Sequence, residues 1–164
     1  MSGLKPITVS DIIRGPKQDV KCGEWAEGTV PHAQFPLGRG KRSLGRGWKW
    51  RSVKFSCLGQ DFFVLVALNV EKEYYRATLG MKDGKSLKVV CCHELHTDHL
   101  NWHCHVVRGN VHETFPGVSR DKNLMIAWPV FTKMECTVTF NVTEKNALSI
   151  AAARFGFAEG GALL

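Results

Sequence analysis

The chain has 164 residues, of which 44% are hydrophobic and 23% charged, and its 22 Lys and Arg against 15 Asp and Glu give a net charge of +7. These values suit one globular domain and exclude disordered, collagen-like and coiled-coil chains. No segment approaches the roughly 20 apolar residues of a membrane span, and the N-terminus has no apolar signal segment. We therefore expect no membrane contact and a cytoplasmic location, with the six cysteines reduced.

The excess of positive charge comes from one segment. Between residues 28 and 60 there is no Asp or Glu, and this segment holds seven cations: Arg39, Lys41, Arg42, Arg46, Lys49, Arg51 and Lys54. The remaining 15 Lys and Arg are balanced by the 15 acids. Such a local excess is typical of a surface that meets a polyanion.

Residues 1–47 are predicted to form an irregular basic N-terminal arm. They hold four of the six prolines and a glycine-rich run at 38–47. Proline fixes φ and removes a backbone donor, and glycine raises the entropy of the unfolded chain, so both oppose regular structure. Within the arm a short helix is expected over Val9–Arg14, with Ser10 as its cap. Residues 48–164 are predicted to form a single α+β domain.

From Trp48 onward the sequence favours strands, because Val, Phe, Tyr, Thr and Leu dominate and turn residues separate the runs. The predicted strands are Trp48–Cys57, Phe62–Val70, Tyr74–Met81, Ser86–His96, Trp102–Arg108 and Cys136–Asn141. Asp83 and Gly84 predict a two-residue type I′ hairpin, which needs positive φ at both central residues.

The last segment changes to a helical period. Thr143 or Asn141 is expected to cap a helix that runs to about Phe155 and ends at Gly156. The apolar stripe of this helix would pack on the sheet. The predicted fold class is therefore α+β: an antiparallel sheet of about five or six strands with a C-terminal packed helix, preceded by the irregular basic arm.

Histidines are concentrated in one part of the sequence. Six of the seven lie between residues 93 and 112: His93, His96, His99, His103, His105 and His112. His103 and His105 are two residues apart on a predicted strand, so their side chains share a face and can share one metal ion. Histidine is also the usual acid or base near neutral pH.

The strand register decides which histidines meet, and the sequence leaves two registers open. If Lys82 pairs with Lys85, Tyr74 lies opposite His93. A five-residue loop at 97–101 would then place His105 opposite His93. A six-residue loop would pair His96 with His103 and turn His93 to the other face.

Common catalytic motifs are absent from the sequence. The run from His93 to His96 is one residue too short for the metalloprotease pattern, and no Cys-x-x-Cys pair of a structural zinc module occurs. There is no P-loop, no G-x-G-x-x-G and no G-x-S-x-G.

The run His-Thr-Asp-His-Leu-Asn-Trp-His-Cys-His, from His96 to His105, resembles the H-x-D-x-x-N-x-H-x-H signature of plasmid-mobilisation relaxases, which are HUH endonucleases. The resemblance implies that His96, His103 and His105 hold a divalent metal ion (Mg, Mn or Zn) that polarises a DNA phosphate. It also implies that Asp98 orients one of these ligands.

In that family a tyrosine near the N-terminus attacks the phosphate. The only tyrosines in this chain are Tyr74 and Tyr75, which makes them the candidate nucleophiles. His93 is the candidate acid or base, since the resemblance does not assign it to the metal.

The basic segment is predicted to bind nucleic acid, with single strands favoured. It combines phosphate-neutralising cations with aromatic rings on which bases can stack. The predicted contacts are Arg39, Lys41, Arg42, Arg46, Trp48, Lys49, Trp50 and Arg51.

Two functions from different classes follow from these features. The first is a metal-dependent phosphodiesterase or nuclease, in which the basic segment holds the strand and the histidines carry the chemistry. The alternative is a non-catalytic β domain that binds nucleic acid or a protein partner, with structural or zinc-binding histidines.

Overall fold

A computed structural model describes residues 3–38, 42–96, 100–117, 121, 123–128, 138–160 and 162–163. The helices are α1 (Val9–Arg14) and α2 (Ala147–Phe155), with a 3-10 turn at Val111–Glu113. The strands are β1 (Gln18–Cys22), β2 (Ala26–Glu27), β3 (Thr29–Val30), β4 (Arg42–Ser43), β5 (Lys49–Cys57), β6 (Gln60–Asn69), β7 (Tyr74–Asp83), β8 (Ser86–His96), β9 (Leu100–Val107), β10 (Met125–Trp128) and β11 (Ala162–Leu163).

Nine strands of the described chain form one mainly antiparallel sheet, in the order β10-β9-β8-β7-β6-β5-β1-β11, with β2 also paired to β5. Together with α2 this is the predicted α+β class. The five strands predicted between Trp48 and Arg108 are all present, and their ends agree within two residues. The sheet is nevertheless larger than the predicted five or six strands.

The additional strands include two from the segment predicted to be irregular. The structure places α1 and four strands, β1 to β4, within residues 1–47, and β1 pairs along β5. These strands have two to five residues and polar sequences, so no alternating pattern marks them. β1 and β2 pair with the open edge of β5, whereas β3 and β4 pair with each other in a separate two-stranded sheet.

The predicted strand at Cys136–Asn141 is not formed over its described residues 138–141, while 136 and 137 lie outside the described residues.

The β7–β8 hairpin differs from its predicted register. Asp83 pairs with Ser86, so Gly84 and Lys85 form the loop, and positive φ occurs at Gly84 but not at Lys85. This is the type II′ pattern, not type I′. A bulge at Val90 then shifts the pairing by one residue, because Gly80 pairs with Val89 and Leu79 pairs with Cys91.

One side of the sheet, the helix face, packs against α1 and α2. Its core includes Val53, Phe55 and Leu79 from the strands and Ile12 and Phe155 from the helices. The apolar stripe of the C-terminal helix therefore packs on the sheet, as the sequence predicts, and the burial of this stripe stabilises the fold.

The helix ends agree only partly with the sequence. Thr8, and not Ser10, caps α1, in a reciprocal pair of hydrogen bonds with Asp11. The second helix begins at Ala147, after a turn at Thr143, and its end at Gly156 (φ 77°) agrees with the prediction. Neither α1 nor α2 is long and apolar enough to cross a membrane.

The other side of the sheet, the histidine face, carries two different regions. Over β5 and β6 lies a second apolar cluster, against which Ala26, Leu37 and Leu44 pack; it consists of Val30, Phe35, Trp50, Phe63, Leu65 and Leu87. Over β7, β8 and β9 the same face carries the polar side chains of Arg76, Glu94 and His103. Val30, Phe35 and Trp50 of the segment from residue 28 to 60 therefore lie on the same face of the sheet as the histidines.

Candidate metal centre

The central row of the histidine face runs in register across five strands. Trp50 pairs with Ala67, Ala67 with Arg76, Arg76 with Glu94, and Glu94 with His103. Directly paired residues point to the same side of a sheet and lie close together. This row therefore changes from apolar at β5 to charged at β8 and β9.

The two neighbouring rows bring in the other histidines. Tyr74 pairs with His96 on one side of the central row, and Cys92 pairs with His105 on the other. Both predicted registers are wrong at these positions. The hairpin loop shifts the β7–β8 pairing by two residues and the bulge at Val90 shifts it by one more, so His96, and not His93, lies opposite Tyr74. Between β8 and β9, His105 lies opposite Cys92 and His103 opposite Glu94.

Three imidazole nitrogens surround one carboxylate oxygen. Oε2 of Glu94 lies 3.1 Å from Nε2 of His103, 3.8 Å from Nε2 of His105 and 3.9 Å from Nε2 of His96. One ligand atom each from Glu94, His96 and His103 can be chosen so that all lie within 4.8 Å of one another. The group that can share one ion therefore contains two of the predicted ligands, His96 and His103, together with Glu94, whereas His105 lies near the same carboxylate but outside this group.

His103 is oriented in the way that metal-binding histidines usually are. Its Nδ1 donates to the backbone carbonyl of Asn101 at 2.8 Å, and its Nε2 faces Glu94. Metal-ligating histidines commonly donate the second ring nitrogen to a carbonyl or carboxylate, which fixes the ring and the tautomer. The strand backbone thus holds Nε2 toward the cluster.

Opposite charges reinforce the pair of Glu94 and His103. Burial would raise the pKa of Glu94, but the hydrogen bond from His103 and the positive charge of Arg76 lower it to about 2. Burial likewise opposes protonation of His103, yet the hydrogen bonds to Glu94 and to the Asn101 carbonyl raise its pKa above the usual value. A metal ion bound at Nε2 of His103 would compete with the proton that the raised pKa favours there.

Access to the cluster is from the side of His105. The residues Glu94, His96 and His103 are 9%, 5% and 3% exposed, whereas the His105 side chain is 38% exposed. The three buried groups are placed to hold an ion, and His105 is placed between that ion and solvent. Cys92 lies behind them and donates to the other Glu94 oxygen at 3.5 Å.

The donor set limits the choice of metal. Imidazole nitrogens suit zinc and other transition ions, whereas Mg²⁺ prefers oxygen ligands and retains several waters. A cluster of one carboxylate and two or three imidazoles therefore suits zinc or manganese better than magnesium.

Aromatic rings continue the histidine face away from the cluster. The Tyr74 ring stacks on His96 at 5.0 Å between centroids, and Trp48 meets Tyr74 edge to face at 5.2 Å. Of the two candidate nucleophiles, Tyr74 is therefore the one beside the cluster.

His93 and Tyr75 lie on the opposite, helix face. The His93 ring stacks on Trp102 at 4.8 Å, and burial lowers its pKa to about 4. Tyr75 is fully buried, and burial raises the pKa of its hydroxyl far above the usual value. The sheet separates both from His103, so the structure does not bring these two predicted catalytic residues to the cluster.

The basic residues predicted to bind nucleic acid are divided between the two faces. Lys49 pairs with Glu144 on the helix face, and Arg51 donates to the Gly23 carbonyl at 2.9 Å. Trp50 is 2% exposed and belongs to the apolar cluster, so it offers no ring for stacking.

Of the two predicted aromatic contacts, only Trp48 lies beside the histidines. The exposed Arg46 lies two residues before it, in a turn that is closed by a hydrogen bond from the Trp48 N–H to the Gly45 carbonyl. Three predicted residues, Arg39, Lys41 and Asp98, lie outside the described residues, and for Arg42 only the backbone, in β4, is described.

Sequence reasoning missed Glu94 as a member of the cluster. Glu94 had a signal, since it lies two residues before His96 on a strand and so shares its face. The position of Arg76 directly opposite Glu94 follows only from the strand register.

Comparison of the chain with protein-family models, with curated proteins and with solved structures gives no significant match.

Proposed function

We propose that the protein is a metal-dependent phosphodiesterase that acts on nucleic acid. The observation that carries the proposal is the convergence of three imidazole nitrogens on one oxygen of Glu94. In this proposal Glu94, His96 and His103 bind zinc or manganese. Three protein ligands with one open position are typical of a catalytic zinc site.

The exposed histidine supplies the acid or base. A bound divalent ion would polarise the phosphate and lower the pKa of an attacking water. His105 faces the ligands from the solvent side, so it is placed to accept the proton of that water. Tyr74, stacked on His96, is the alternative nucleophile that the relaxase resemblance suggests.

Nucleic acid is the substrate that the sequence favours. The segment from residue 28 to 60 has seven cations and no acid, and three of its apolar side chains, Val30, Phe35 and Trp50, belong to the apolar cluster on the histidine face. Trp48 extends the same face with an aromatic ring. A cationic segment beside aromatic rings supports binding of single strands with little sequence preference.

The second candidate is a non-catalytic β domain with a structural zinc ion. It is supported by the burial of Glu94, His96 and His103, because structural zinc sites are closed and four-coordinate. In this case His105 is the fourth ligand and leaves no open position. The role of His105 therefore separates the two candidates.

The two functions are distinguished by a cleavage assay on labelled single-stranded DNA and RNA with added Zn²⁺ or Mn²⁺. We expect cleavage by the native chain, loss of cleavage with retained metal in His105→Ala, and no effect of His112→Ala, whose side chain is outside the cluster. If the native chain binds the metal, fails to cleave, and His105→Ala loses the metal, the structural site is the correct interpretation.

A further inference from the structure

Arg76 is a half-buried cation in the central row of the histidine face. It pairs directly with Glu94 on β8 and with Ala67 on β6, and so lies between the histidine cluster and the apolar cluster. The positive charge of Arg76 acts to lower the pKa of Glu94 and the pKa of Cys92.

Among the residues that the structure describes, the guanidinium of Arg76 nevertheless has no fixed partner. Among the described residues, no carboxylate oxygen lies within 4.0 Å of it, and it donates no hydrogen bond; the three ion pairs of Glu94 are all with histidines. A guanidinium has five donors in a planar fork that matches the oxygens of a phosphate. No described residue therefore occupies these donors on the face where the substrate would approach.

The charge balance of the cluster also favours an anion. When the histidines are neutral, the negative charge of Glu94 and the positive charge of Arg76 cancel. A bound divalent ion would therefore give the site a net charge of two positive units. A neighbouring ligand of negative charge would reduce this excess, and a partly buried site screens such attraction less than bulk water does.

We propose that Arg76 is a substrate-binding residue that donates to a phosphate oxygen while the metal ion polarises the same phosphate. The inference rests on the proposed function and deepens it, because it makes the anionic phosphate group, and not only the strand, a determinant of specificity. The basic segment would then supply general attraction, and Arg76 would position the reacting group.

The alternative role for Arg76 is to hold Glu94 in place for the metal. That role predicts that removing the guanidinium weakens metal binding, whereas the substrate-binding role predicts that metal binding is retained. The absence of an ion pair within 4.0 Å between these two side chains supports the substrate-binding role.

The test is calorimetric titration of the zinc-loaded chain with inorganic phosphate, together with measurement of zinc affinity. The variants are Arg76→Gln, Arg76→Lys and, as a matched control, Arg108→Gln at an exposed position immediately after β9. We expect Arg76→Gln to weaken phosphate binding about 10- to 100-fold, the range for loss of a charge-assisted hydrogen bond. Arg76→Lys should be intermediate, because a point charge replaces the fork, and Arg108→Gln should bind as the native chain does.

Two results would overturn the proposal: unchanged phosphate affinity in Arg76→Gln, or a fall in zinc affinity as large as the fall in phosphate affinity. If the native chain binds no metal, the proposed function fails, and the same titration on the metal-free chain decides the role of Arg76. If the metal-free native chain binds phosphate and only Arg76→Gln loses this binding, the role of Arg76 in phosphate binding is still supported. If the metal-free native chain binds no phosphate, that role is refuted.

Discussion

At the scale of single residues, Glu94 and His103 stabilise each other in opposite charge states. The carboxylate is ionised because its pKa is lowered to about 2, and the imidazole is protonated over a wider range because its pKa is raised. The lowered Glu94 pKa contributes stability above about pH 4.5, and this is lost as the pH falls toward 2. The raised His103 pKa contributes stability below about pH 6.5, and this is lost as the pH rises through the folded-state pKa.

The first prediction concerns the metal-free chain. Glu94→Gln should lower the free energy of unfolding by about 2 kcal/mol between about pH 4.5 and 6.5, where both charges are present, and by less on either side. Urea denaturation in the presence of a chelator, at three pH values across this range, measures the difference. A loss that does not vary with pH would mean that the charge pair does not contribute as described.

Tyr75 gives a second prediction at this scale. Its hydroxyl is buried without a hydrogen-bond partner among the described residues, so burial of this group opposes folding. Tyr75→Phe should therefore leave the free energy of unfolding unchanged or raise it by about 1 kcal/mol, without effect on metal binding. Loss of metal binding or of cleavage in this variant would show that Tyr75 has a functional role.

At the scale of elements, one bulge determines which residues form the cluster. Strand alternation in the sequence correctly predicts that His103 and His105 share a face. It does not predict the extra residue at Val90, because Val is favourable in a strand whether it is paired or bulged. The bulge places His96 in the row of Tyr74 and leaves His93 on the helix face.

The contact between the two helices supports a third prediction. Gly156 ends α2 with a φ of 77°. A Cβ at this position would lie 2.3 Å from the backbone carbonyl oxygen of Ile13, in the last turn of α1. Gly156→Ala should destabilise the fold by at least about 2 kcal/mol. Gly160→Ala, where a Cβ meets nothing within 4 Å, is the control and should have little effect. Equal stability of the two variants by urea denaturation would contradict the described packing.

At the scale of the whole molecule, the sheet separates two surfaces that the sequence places together. The basic segment is one continuous run in the sequence, but successive residues of β5 point to opposite faces. Lys49 and Arg51 therefore lie on the helix face, while Trp48 contacts Tyr74 beside the histidines. Composition shows how many cations a segment has, whereas only pairing shows which face they occupy.

The division of charge leads to a fourth prediction. Arg46→Gln should reduce the salt dependence of single-strand binding by about 0.7 in the slope of log K against log salt, the value for one lost phosphate contact. Lys49→Gln should leave the slope unchanged, because Lys49 pairs with Glu144 on the other face. Fluorescence anisotropy at several salt concentrations measures both. A larger effect of Lys49→Gln would place the nucleic acid on the helix face.

The sequence predicts the five long strands, the C-terminal helix and the three clustered histidines, because each has a strong local pattern. It does not predict the short strands β1 and β2, whose pairing depends on an edge formed elsewhere in the chain. Nor does it predict the partners of Glu94, since a carboxylate among histidines acquires its role only when three strands are in register.

The central claim is that Glu94, His96 and His103 bind a transition-metal ion. It is tested most directly by measuring zinc and manganese bound per chain after dialysis against trace metal, for the native protein and for His103→Ala, with His112→Ala as control. We predict one ion per chain in the native protein and in the control, and a loss of at least tenfold in affinity in His103→Ala. No bound ion in the native protein, or equal binding by His103→Ala, would contradict the account.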